Sequence, residues 1–385
     1  MSHRPIYLDY MSTTPVDPRV IAEMIQYLGP DGVFANAASA HHRAGQQAAS
    51  AIEIAREQIA TTIGAKPDTV IFTSGATEAN NLAILGAARF YQRKGRHVIT
   101  MTTEHKSVLD CFQQLEREGF DVTYLPPQSS GLLDLESLKA ALRPETILVS
   151  IMHVNNEIGV IQDIDSMGAL LQNKGIIFHV DAAQSAGRLP IDLSKLPVHL
   201  MSFSAHKNYG PKGIGALYIA QKPRIRLQTQ SFGGGQERGL RAGTLPTHQI
   251  MGMGAAFALS ESLRIEEQTN IMALRQDFWS KLQTIPNIHL NGDLTRRIAG
   301  NLNFNIQGID GERLLPALNE LAVSSMTACA SHSHQPSYVL RELGLDRDMA
   351  KSSIRLSIGR FTTQVDLDKA FQIFKETIHR LRSNT

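Results

Sequence analysis

Lys207, in the stretch MSFSAHKNYGPKG, directly follows an apolar run and sits in a turn rich in Ser, His and Gly. An amine at a strand end is ordinarily solvated, but it is also the group that forms a Schiff base with an aldehyde. About one strand–helix unit earlier, IIFHVDAAQSAG places Asp181 at the end of a run that reads as buried. A carboxylate there needs a partner, because its burial alone is costly; it is either a turn or cap aspartate or the partner of a cationic ring nitrogen. Gln184, three residues on, points to the same region. FTSGATEANN closes a strand at Thr73 and opens a helix through Ser74, Gly75, Ala76 and Thr77. Free amides and the dipole at such a helix start suit a phosphate, although a plain helix cap reads the same way. His105 in TEHKS and Asn156 in MHVNNEIG follow two further strands, and Ser204 and His206 flank the lysine turn. Singly, each has an ordinary structural explanation. As a set they fall just past the carboxyl ends of strands, the edge at which open α/β sheets bind ligands. A phosphate cradle, an acid for a ring nitrogen, a flat group to stack and an amine for a Schiff base together describe a site for pyridoxal 5'-phosphate (PLP).

The elements that must position these residues follow from periodicity. Short apolar runs at 70–73, 97–102, 122–125, 147–152, 176–180, 200–203 and 215–219 alternate with helical patterns such as 76–94 and 107–118. Several runs are apolar on both faces, as strands covered on both sides must be. The alternation predicts an α/β fold with a mainly parallel sheet and helices on both faces. A long helical pattern spans 246–282. The rhythm then changes to strands at 288–291, 302–304 and 353–358 and helices at 311–321 and 367–380. Residues 15–260 are read as a large cofactor-binding domain and 261–385 as a smaller α/β domain, joined by the N-terminal segment 1–14.

The segments LDYMSTTP, FTSGATE, TEHKSVLD, SIMHVNNEIGVIQDI, HVDAAQSAG, MSFSAHKNYGPKGIGALY, FGGGQERGLRAGT and SSIRLSIGRF occur in an order that resembles the cysteine desulfurases of the IscS/NifS type. These are PLP enzymes of the class V aminotransferase-like family, with fold type I. The resemblance implies that Lys207 carries the cofactor, that Asp181 keeps the pyridine nitrogen protonated, and that His105 stacks on the ring and helps proton transfer. It implies Gln184 at the ring hydroxyl, and Ala76, Thr77, Ser204 and His206 around the phosphate. Thr244 in RAGT matches a threonine that reaches the partner's phosphate, which implies a symmetric homodimer with shared active sites. Arg355 in SSIRLS would pair with the substrate carboxylate, a task for a planar bidentate cation, assisted by Asn156. The implied reaction converts L-cysteine to L-alanine and leaves the sulfur on Cys329 as a persulfide. An acceptor then takes it for iron–sulfur cluster assembly or tRNA thiolation.

Cys329 lies in SSMTACASHSHQPSYVL, a small-residue, polar segment. A lone cysteine is most often a small buried hydrophobe; the motif position instead matches the sulfur-accepting cysteine of the family. Cys111, inside a helical pattern, reads as structural. The family usually has Gly and Ser where this chain has Met326 and Thr327, and methionine cannot adopt the backbone angles open to glycine cheaply. Asn36 and Ala37 replace a usual Asn-Pro. Many relatives carry a further C-terminal tail that helps dock an iron–sulfur scaffold protein, whereas this chain stops at Thr385. Cys329, His332 and His334 could supply three metal ligands, but their spacing is not diagnostic and no metal is expected. Gly233, Gly234 and Gly235 lack the strand–helix setting of a nucleotide loop. Within the same fold, a selenocysteine lyase or another PLP lyase is an alternative; a non-catalytic scaffold subunit is another.

Composition sets only broad bounds. The 385 residues are 42% apolar with a formal net charge of +2, which gives no bulk attraction to nucleic acid or membrane. Two cysteines in this length do not make a disulfide framework. The opening MSHRPIYLDY lacks a basic segment followed by an apolar core. No run approaches the roughly 20 apolar residues of a membrane span. The expected location is the cytoplasm.

Overall fold

The computed structural model describes residues 4–325 and 335–383. Its strands are β1 (Ile6–Tyr7), β2 (Val70–Thr73), β3 (His97–Met101), β4 (Asp121–Leu125), β5 (Thr146–Met152), β6 (Ile177–Asp181), β7 (Leu200–Ser204), β8 (Gly215–Ile219), β9 (Ile288–Leu290), β10 (Asn301–Ile306), β11 (Leu321–Ala322), β12 (Ser324–Ser325) and β13 (Ser353–Ser357). Its α-helices are α1 (Pro18–Ile25), α2 (Arg43–Thr62), α3 (Ala76–Tyr91), α4 (Lys106–Arg117), α5 (Leu135–Ala141), α6 (Ile164–Gln172), α7 (Thr247–Leu282), α8 (Gly311–Ala317), α9 (Tyr338–Glu342), α10 (Arg347–Lys351) and α11 (Gln364–Ser383).

β2 to β8 form one seven-stranded sheet in the order β2-β8-β7-β6-β5-β3-β4. β4, β3, β5, β6 and β7 pair in parallel, and β8 runs antiparallel between β7 and β2. β2 therefore points the same way as the parallel strands, so six of the seven strands end at one edge. β2, β3, β5, β6 and β7 are buried along their whole length, which explains their unalternating apolar sequences. Helices cover the faces, α3 burying Leu82, Ala83, Ile84 and Leu85. The expected mainly parallel α/β sheet is what forms.

A second sheet, β12-β13-β10-β9, is antiparallel throughout. Its own core contains Phe278, Trp279, Phe304, Leu356 and Phe374. Leu8 of the N-terminal segment is buried in that core, and β1 pairs in parallel with β11. α7 runs through both cores: Ile250, Met253 and Phe257 join the first, Ile271, Phe278 and Leu282 the second. The helix expected over 311–321 stops at Ala317 instead, because Leu321 is claimed by the pairing with Ile6. The pattern at 76–94 ends at Tyr91, while the last helix extends beyond 367–380 at both ends. Among the described residues no helix is long and apolar enough to cross a membrane.

Candidate active site

A cavity of about 550 Å3 opens where β2, β5, β6 and β7 end. Most of the residues singled out in the sequence meet on its wall.

β7 ends at the buried Ser204, and a single 3₁₀ turn, Ala205–Lys207, carries the chain to the lysine. Lys207 Nζ donates to the backbone oxygens of Met11 at 2.7 Å and Ser12 at 2.6 Å. Burial pushes its amine down to about 7; the cations Arg355 and Arg188 add to this, against the opposing charges of Asp9 and Asp181. A lysine so placed holds a large neutral fraction near neutral pH. His206 is lowered to about 4, by burial first and then by Lys207, Lys212 and Arg188. Its Nδ1 lies 3.1 Å from Thr13 Oγ1.

Asp181 is the last residue of β6 and is buried. Its Oδ1 accepts from the Ala183 amide at 2.9 Å and its Oδ2 from Asn80 Nδ2 at 2.8 Å. Gln184 reaches the cavity while donating from Nε2 to Met11 O at 2.9 Å and accepting from Arg188 Nη1 at 2.8 Å. Ala76 and Thr77 begin α3, whose N-terminus has no side-chain cap. The residue before them, Gly75, has φ 154° and ψ 177°, a region essentially restricted to glycine, and a Cβ there would project into open space. The turn thus leaves both room and amides for an anion.

His105 caps α4, its Nδ1 accepting from the Ser107 amide at 3.1 Å. Its pKa is lowered, chiefly by burial. Asn156 lines the cavity, and its buried Oδ1 has no hydrogen-bond partner among the described residues. Arg355, from β13, brings a cation from the second sheet to the cavity rim. Its Nη2 donates to Asp9 Oδ1 at 2.7 Å and Ser324 Oγ at 2.8 Å, and its Nη1 to Asn156 O at 2.7 Å.

These residues fit PLP. The uncapped helix start and the glycine opening suit its phosphate, and Lys207 suits its aldehyde. Asp181, held by two N–H donors, suits a ring cation, and Asn156, whose buried Oδ1 is unpartnered, lines the same cavity. Two further positions do not bear on this chain's own cavity. Thr244 is exposed and does not line this chain's cavity. Cys329 lies outside the described residues, with Met326, Thr327, His332 and His334. Cys111 is buried, raised to about 12 by burial first, and its Sγ donates to Ser107 O at 3.1 Å, all of which suits a structural thiol. Among the described residues no cluster of His, Cys, Asp or Glu could hold a metal ion.

Sequence reasoning missed Asp9, Met11, Asn80 and Ser107. All four stand inside the motif segments quoted above, but no spacing rule marks them. Their roles arise only when segments far apart in the chain meet.

The aminotransferase class-V family model matches residues 6–370. The chain is 57% identical over 378 residues to the cysteine desulfurase IscS of Pectobacterium atrosepticum, covering 98% of this chain and 94% of that relative. Among solved structures, a NifS-like protein superposes with a TM-score of 0.91 at 34% identity, covering 98% of this chain and 100% of the other. SspA in complex with cysteine superposes with a TM-score of 0.82 at 37% identity, covering 93% and 99%. By these matches the chain belongs to the class-V aminotransferase family, among the cysteine desulfurases of the IscS/NifS type.

Proposed function

We propose that this chain is a PLP-dependent cysteine desulfurase that converts L-cysteine to L-alanine and takes the sulfur onto Cys329. The observation that carries the reading is the convergence of Lys207, Asp181, His105, Arg355 and the open start of α3 on one cavity. When bound, PLP supplies an electron sink that stabilises a carbanion at the substrate Cα.

The chain's own groups do the rest. Thr77, Ser204, His206 and the first amides of α3 hold the phosphate, joined by Thr244 of a second copy across a homodimer interface. Asp181 holds a proton on the ring nitrogen through its carboxylate. His105 would pack over the ring, and Gln184 would meet the ring hydroxyl; both line the cavity. Arg355 takes the carboxylate of L-cysteine, with Asn156 beside it, and so aims the Cα–H bond. Lys207 would hold the cofactor, and its Nζ, with a large neutral fraction, would take the proton from the substrate Cα. Cys329 attacks the substrate sulfur as a thiolate, the reactive form of a cysteine. The C–S bond breaks toward the substrate carbon, the carbon takes up a proton, and Cys329 keeps the sulfur as a persulfide. The overall change is cysteine plus thiol to alanine plus persulfide. A protein acceptor or a reductant then removes the sulfur, and the cytoplasm, with its reducing thiol pool, is the fitting compartment.

The test is to incubate the PLP-loaded protein with L-cysteine and a reductant and to quantify alanine and sulfide, with Cys329→Ala in parallel. Equal alanine and sulfide, both lost in the variant, is the expected outcome. Pyruvate would assign the site to an eliminating lyase, and bound PLP without cysteine turnover would assign it to another substrate or a scaffold role.

A further inference from the structure

Between the cavity's acid and its histidine lies a chain of buried polar side chains. Asn80, fully buried on α3, donates from Nδ2 to Asp181 Oδ2 at 2.8 Å and to Ser107 Oγ at 2.9 Å. Ser107 Oγ lies 2.8 Å from His105 Nδ1. The Ser107 backbone amide points at the same nitrogen from 3.1 Å.

Donor and acceptor counting gives this chain a direction. The two hydrogens of the Asn80 amide meet two acceptors. A flipped amide would set its carbonyl oxygen against Asp181 Oδ2, so the carboxylate dictates the orientation. Ser107 Oγ uses a lone pair for Asn80 and keeps its one proton for His105 Nδ1. The Ser107 amide can only donate, and it shares the one lone pair of Nδ1 with the hydroxyl. A proton on Nδ1 would therefore face one N–H and displace a hydroxyl donor, and it would uncap α4. Nε2 is the nitrogen left to carry the ring proton, and His105 lines the cavity.

We propose that Ser107, oriented by Asn80, is a positioning residue that holds His105 neutral in the Nε2–H tautomer, so that His105 enters the reaction as a hydrogen-bond donor and not as a base. The removal of protons then falls to Lys207. The charged groups around the imidazole act in both directions: Asp181 on β6 and Asp110 on α4 favour its protonation, and Lys207 and Lys106 oppose it. Burial is the largest influence, and it opposes protonation. The hydrogen-bond chain decides which nitrogen stays bare.

This inference rests on the reading of the cavity as a PLP site, and its readout is independent of turnover. The holoenzyme is labelled with ¹⁵N-histidine, and the His105 signals are assigned by their loss in His105→Gln. Long-range ¹H–¹⁵N correlations are then recorded from about pH 6 to about pH 8, the range in which an ordinary histidine changes charge. The expected spectrum has a protonated Nε2 and a bare, hydrogen-bonded Nδ1 across the range. In Ser107→Ala the midpoint should rise toward the ordinary histidine range, with a smaller rise in Asn80→Ala and the wild-type pattern kept in Ser107→Thr. The visible band of the bound cofactor reports that each variant is folded and loaded. Should Asn80→Ala fail to load, Ser107→Ala and Ser107→Thr decide alone. A wild-type His105 that carries a proton on Nδ1 near neutral pH overturns the proposal, as does a loaded Ser107→Ala with an unchanged His105 titration. Failure of alanine release with an intact Nε2–H signal would strike the proposed activity and leave this inference standing.

Discussion

The cavity has a floor and a wall built on different principles. The floor comes from the strand ends of one sheet, and its partners are mostly neutral. Asp181 is held by two N–H donors and Lys207 by two carbonyl oxygens. The wall comes from the second sheet and the N-terminal segment, where Arg355, with 9% of its side chain exposed, is paired with the carboxylate of Asp9. Neutral partners orient a charge without cancelling it, so the floor keeps its charges for a resident ligand. A carboxylate partner has to be displaced or shared when another carboxylate arrives. The difference separates a permanent seat from an exchangeable one.

The largest effect should come from the floor. Lys207→Ala should lower cysteine turnover by about 10³-fold, in the range of a lost general base, and should remove the covalent visible band. Turnover within tenfold of wild type would end the assignment of Lys207 as the base. On the wall, Arg355→Lys keeps the charge but loses the planar fork. At about 1.5–3 kcal/mol for charge-assisted hydrogen bonds, the KM for L-cysteine should rise roughly 10–100-fold with kcat nearly held. A fall in kcat alone would move Arg355 from wall to floor. The smallest effect is expected of Asp9→Asn. Removing the competing carboxylate should lower KM a few-fold, within the roughly 1 kcal/mol of a partly exposed pair. The same change acts on the floor. The Lys207 amine, lowered to about 7, is a base above that pH and is lost as a base as pH falls through it; Asp9 opposes that lowering. D9N should therefore shift the acid limb of the turnover profile to lower pH. A shift to higher pH, or a tenfold rise in KM, would show that Asp9 orients Arg355 and does not compete for it.

The floor was far more legible in the sequence than the wall. β2 and β8 were readable to the residue because both are bounded by turn residues and filled with apolar side chains. Lys207, Asp181 and His105 lie at or just past the ends of β7, β6 and β3, whose apolar runs were readable in the same way. The wall was legible only in part: strands expected at 288–291, 302–304 and 353–358 formed at Ile288–Leu290, Asn301–Ile306 and Ser353–Ser357, but its shortest pieces left no pattern. β1 and β11 are two residues each, too short for any periodicity, and β12 is no longer. Asp9 and Arg355 stand 346 residues apart, and no spacing rule joins the two into a pair. Arg355 was reached through the resemblance of SSIRLS. Asp9 was passed over inside LDYMSTTP, because a motif match assigns only those positions whose roles are already named. Asn80 and Ser107 were missed for a related reason. An asparagine inside a helix and a serine in the first turn of one are ordinary until their partners are placed.

The pairing of β1 with β11 also bears on how the molecule is made. The first strand to leave a ribosome can find its partner only when residue 321 has followed, and the wall's arginine comes later still. Domains generally fold as units in the order of synthesis. The sheet that seats the cofactor, complete by Ile219, can close well before the site can recognise a substrate. A nascent chain would thus pass through a stage with its amine and phosphate cradle formed but without its specificity. The long-range closure of the N-terminal strand, slow because of its sequence separation, would be the step that ends that stage.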